Sequence, residues 1–88
     1  MHEWSKPIAI DGLEVRRTGL DVIVHDPQHE KIHILNRSAG AVLDLCDGEH
    51  DPAQIASLVR AGMDVPQERV LSDVLATLDT FRRLRFVR

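Results

Sequence analysis

The chain of 88 residues contains one cysteine, Cys46. A single thiol excludes an intrachain disulfide framework and any zinc site built from several cysteines, and it suits a reducing compartment. No run of about 18 apolar residues occurs, which excludes a membrane-spanning helix on length. No charged-then-apolar leader opens the chain, so the expectation is a cytoplasmic protein with no membrane attachment. A basic excess is missing too: the net charge is −3, which gives no footprint for nucleic acid or an anionic surface. There is no glycine-rich phosphate loop, and Ser38 lacks a nucleophile-elbow context. No catalytic constellation is found and no cofactor is implied.

What is present fits one soluble domain spanning residues 1–88, with 43% apolar and 28% charged residues. That length supports a single modest core and is too short for a two-lobed catalytic cleft. Charge is uneven: residues 44–51 (DLCDGEHD) are acidic, whereas the C-terminal RRLRFVR carries four arginines. A solvated helix end accounts for those arginines electrostatically.

The first eighteen residues are weakly patterned. P-I-A-I-D-G suggests a short strand ending in an Asp11-Gly12 turn, and L-E-V-R-R alternates briefly. From Leu20 the signal is clearer. Leu20, Val22 and Val24 fall on one face and Asp21, Ile23 and His25 on the other, as in a half-buried strand. D-P-Q-H-E follows, with Pro27 as turn former. K-I-H-I-L then resumes the alternation, with Ile32 and Ile34 opposite Lys31, His33 and Leu35. The two runs predict a β-hairpin.

The period then changes. Asn36 or Ser38 can cap a helix whose stripe is Val42, Leu43, Leu45 and Cys46, with Gly48 as its stop. Cys46 reads as a small buried hydrophobe. Asp51 and Pro52 open a second helix, with Ile55, Leu58 and Val59 buried and closure near Gly62. The third and longest helix carries Val70, Leu71, Val74, Leu75, Leu78, Phe81 and Leu84 over about five turns. Its apolar stripe, two rows wide, exceeds what one neighbouring helix would cover. A terminal F-V suggests a last extended segment. Two or three strands followed by three helices predict an α+β domain.

HEKIH, residues 29–33, spells a zinc-hydrolase motif. In a helix its two histidines stand roughly 6 Å apart and can share one ion. In a strand they stand about 13 Å apart, beyond what zinc–nitrogen bonds of about 2.1 Å can bridge. The segment follows Pro27 and alternates like a strand, so the histidines of the series His25, His29 and His33 are expected on a solvent-exposed hairpin, with no metal.

From His33 onward, H-I-L-N-R-S-A-G-A-V-L-D-L-C-D-G, D-P-A-Q-I-A, V-L-S-D-V-L-A-T-L and the final F-V resemble the PqqD family, small recognition elements that bind the leader of a precursor peptide. The loop D-P-Q-H-E stands where PqqD proper tends to carry P-E-G, so the resemblance points to a PqqD-like relative. It implies a winged helix-turn-helix-like fold, with an antiparallel sheet packed on three helices. It also implies a leader peptide added as a strand beside the third strand and against the third helix, for delivery to a modifying enzyme, often a radical SAM protein. The family tends to carry glycine where this chain has Arg85; a left-handed backbone there would disfavour arginine by about 1 kcal/mol.

An exposed strand edge offers unpaired N–H and C=O groups to an extended peptide. The expected peptide-binding set is therefore Lys31, Ile32, His33, Ile34 and Leu35 of the strand, with Leu71, Leu75, Leu78 and Arg82 of the helix. Leu71 and Leu75 would floor a pocket alongside Ile32 or Ile34, and Lys31 and Arg82 would pair with acidic leader residues. The same uncovered edge leaves a homodimer open. The competing expectation is a winged-helix DNA-binding regulator. The third helix opposes it, because it presents Gln67, Glu68, Ser72 and Asp73 where phosphates would lie.

Overall fold

The computed structural model describes residues 6–88; residues 1–5, the start of the weakly patterned stretch, lie outside the described residues. Three antiparallel strands come first: β1 (Glu14–Thr18), β2 (Asp21–Asp26) and β3 (Lys31–Asn36). Three helices follow: α1 (Arg37–Asp44), α2 (Pro52–Arg60) and α3 (Gln67–Arg83). The sheet order β1-β2-β3 leaves β3 at one edge. This is the α+β arrangement that the pattern predicts, and it matches the winged helix-turn-helix-like fold that the resemblance implies.

Local chemistry sets the element boundaries. The Asn36 side chain accepts from the Ala39 amide at 2.8 Å and starts α1 directly off β3. Asp51 and Gln54 form a reciprocal capping box, each contact at 2.8 Å, with Pro52 at the first helical position of α2. At the end of α3, Arg85 N–H donates to Arg82 O and Phe86 N–H to Phe81 O. This is a Schellman closure, with Arg85 in the left-handed position at φ 62°.

The core joins sheet and helices through Val22, Val24, Val42, Leu43, Ile55, Val70, Val74, Leu78, Phe81 and Phe86, all buried. Phe81 and Phe86 meet with ring centroids 5.9 Å apart. Each contributes roughly 1.5–3 kcal/mol through burial. The P-I-A-I segment stays outside the main sheet. Ile8 pairs with Asp47 and Ala9 with Val87, so the two ends of the described chain are stitched together.

Several expectations need correction. Leu20 does not share the inward face of Val22 and Val24; it sits in the turn after β1 and is 74% exposed. Helix α1 ends at Asp44, four residues before Gly48, and Cys46 lies just past it, still buried and donating to Val42 O at 3.2 Å. On α2 the inward residues are Ile55 and Ala56, with Val59 partly buried, while Leu58 is 50% exposed. The inward face of α2 is set by its packing on α3.

Candidate functional site: the open edge of β3

The register fixes which groups β3 presents. β1 and β2 are joined through Gly19 and Leu20 alone, so Thr18 and Asp21 are the closing pair. A two-residue connection makes that pair hydrogen-bonded, and the ladder alternates from there. Ile23 and His25 then face β1, whereas Val22, Val24 and Asp26 direct their backbone groups at β3. Their partners are Leu35, His33 and Lys31. Of the remaining β3 residues, Asn36 is the cap of α1, and Ile32 and Ile34 turn their N–H and C=O outward to the free edge.

Side chains follow the opposite logic. His33 and Leu35 lie opposite buried Val24 and Val22 and point toward the helices. The His33 ring meets Phe86 edge-on, with centroids 5.0 Å apart. Ile32 and Ile34 occupy the outer face and are 67% and 69% exposed. This corrects the expected pocket: Ile32 and Ile34 lie across the sheet from the helices, so they cannot share a floor with Leu71 and Leu75. His33 and Leu35 are the β3 side chains on the helix side of the sheet.

No Cα of β3 approaches within 8 Å of one in α3. On α3, Leu71 is half-buried against the core and Leu75 is 37% exposed. Leu78 is fully buried. It packs in the core and has no surface to offer a peptide, which corrects its expected role. Arg82 is exposed and already engaged in another interaction.

The β2–β3 turn is built on a buried carboxylate. Asp26, 3% exposed, accepts from the amides of Gln28 and His29 and contacts His29 Nδ1 at 2.6 Å. The His29 hydrogen bond, aided by those amides, holds the Asp26 carboxyl below its ordinary pKa although enclosure opposes this. Residues 27–30 are turn and residues 31–36 strand, so HEKIH lacks the helical spacing on which its zinc chemistry depends. Cys46 is no better suited to reactivity, since burial, with the Asp47 charge second, pushes its thiol up to about 12.

Among the described residues, no helix is long and apolar enough to cross a membrane. By sequence, no curated protein matches. By structure, the chain is similar to a lasso peptide synthetase B1 solved complexed with the leader peptide, at TM-score 0.81 and 15% identity, covering 96% of this chain and 99% of that one. It is also similar to TbiB1 in complex with the TbiA(beta) leader peptide, at TM-score 0.80 and 15% identity, covering 92% and 94%. At such identities the likeness concerns the fold. The family model described as coenzyme PQQ synthesis protein D (PqqD) matches residues 21–87, from the first residue of β2 to the strand-like Val87. The chain belongs to the PqqD family.

Proposed function

We propose that this domain binds the leader region of a ribosomally made precursor peptide as an added strand on β3 and presents it to a modifying enzyme. The open β3 edge carries the proposal. Two residues there, Ile32 and Ile34, hold outward main-chain donors and acceptors on a sheet that no other described element extends. Family membership supports it, as do two structures of the same fold, each solved with a leader peptide. Alternate side chains of the added strand would fall beside His33 and Leu35, toward the half-exposed row of Leu71 and Leu75. The domain supplies recognition, and its partner supplies the chemistry; a radical SAM maturase is the partner class that the family resemblance favours.

No observation favours nucleic acid. The net charge is −3, Glu68, Ser72 and Asp73 are exposed on α3, and Gln67 is tied to Ala53 of α2. The test is an amide NMR titration with the leader segment of any short precursor peptide found encoded near this gene. Binding should shift the Ile32 and Ile34 resonances. Saturating peptide with no change across residues 31–35 would overturn the assignment.

A further inference from the structure

Where β3 starts and α3 ends, the inner face opens into a cavity of about 280 Å³. Lys31 and His33 of β3, Asp26 at the end of β2, His29 of the turn, and Arg83 and Arg85 of the α3 terminus line it. Its charges do not cancel. Asp26 is the only carboxylate in that lining, and it is committed to His29 and two backbone amides. Arg83 is paired with Asp79 one turn back along α3. Glu30 is exposed and does not line the cavity. Lys31 and Arg85 are left with no side-chain partner among the described residues.

A second observation concerns the backbone. Arg85 occupies the left-handed position of the Schellman closure, φ 62°, where glycine is strain-free and arginine is not. Stability alone would select glycine. A strained residue whose side chain is an unpaired cation lining a cavity points to a role for that side chain. The arginines needed at the helix end for electrostatic reasons are already present as Arg82 and Arg83.

We infer that the cavity binds a carboxylate side chain of the bound peptide between Arg85 and Lys31, so that an Asp or Glu at one fixed position of the leader determines specificity. The inference rests on the strand-addition proposal above and adds to it the chemical class of one recognised residue. Arg85 supplies a planar pair of donors matched to a carboxylate, and Lys31 a second cation from the other wall. Both cations are exposed, so the contact should weaken as salt is raised.

The probe is a displayed library of random 12-residue peptides selected on the intact protein. One binder that shifts the Ile32 and Ile34 amides is resynthesised with each Asp or Glu changed to Asn or Gln. One such change should weaken binding about tenfold or more in the wild-type protein. In Arg85→Gly and Lys31→Gln the same change should have little effect, because the partner is already gone. Arg85→Gly should also melt at a higher temperature, which separates lost recognition from lost folding. Binders at β3 with no sensitive acidic position, or with a sensitivity that survives in both variants, would overturn this inference and leave strand addition standing. Failure to recover any binder that shifts the β3 amides would overturn both.

Discussion

The Phe86 amide donates to the Phe81 carbonyl at 2.8 Å across the end of α3, and the two rings pack 5.9 Å apart. That closure buries Phe86 completely and forces the intervening Arg85 into the left-handed region at φ 62°. Replacing Arg85 with glycine should remove the strain and stabilise the domain by about 1 kcal/mol. For a domain of this size the melting temperature should rise by roughly 4–8 °C. A thermal melt by circular dichroism checks it, and a fall in the melting temperature would contradict the account of the closure.

The outward amides of β3 give a positional contrast. Ile34→Pro removes an N–H that faces the free edge, so the β2–β3 ladder survives and the fold persists. Peptide affinity should fall about tenfold or more, since the edge loses a donor and gains a ring. His33→Pro instead removes a ladder amide and the ring resting on Phe86, and should unfold the domain or lower its stability by about 3 kcal/mol. Melts and peptide titrations of both variants test the parity directly.

Gly40 of α1 is buried against Val22 of β2. A Cβ built there would lie 2.5 Å from Cγ2 and 3.0 Å from Cβ of Val22. Val22 is 2% exposed and β-branched, with little freedom to rotate away. Gly40→Ala should therefore destabilise by about 1–3 kcal/mol, although alanine is the better helix former. Adding Val22→Ala should make the pair less costly than the sum of the single changes, as a double-mutant cycle in urea would read out.

Asp26 makes stability pH-dependent with a definite sign. Its folded pKa lies below the ordinary value of 3.8. Its contribution is therefore complete above that value and lost as the pH falls through the folded one. Asp26→Asn should be less stable than wild type at pH 7, and the gap should narrow as melts are repeated down toward about pH 3. A gap that stays constant over that range would show that the ionised carboxylate is not the source.

Much of the fold is legible locally because local chemistry decides it. Asn36, Asp51 and Pro52 are helix starters through their own side chains, and the structure finds caps at Asn36 and Asp51 and Pro52 at the first helical position. The α3 stripe of Val70, Val74, Leu78 and Phe81 is buried as its spacing predicts. The peptide-binding region is legible only in part. Alternation in K-I-H-I-L separates two faces but cannot say which one is buried, and apolar content misleads, because Ile32 and Ile34 are the exposed pair. Arg85 is flagged in the sequence only through the resemblance, which implies glycine there; besides Arg83 and Leu84, its neighbours in the cavity come from segments more than fifty residues earlier.

The sequence by itself determined the element order, the hairpin and the caps, since each rests on residues within a few positions of one another, and the likeness to PqqD, since it rests on short motifs in a fixed order. Tertiary structure decided the rest. The pairing of Val22 with Leu35 and Val24 with His33 turned one face of β3 inward and left the backbone of Ile32 and Ile34 open. The closure of α3 onto Phe86 brought Arg85 to the same cavity as Lys31. Both outcomes depend on contacts between distant segments, where a one-residue shift in register would reverse every face.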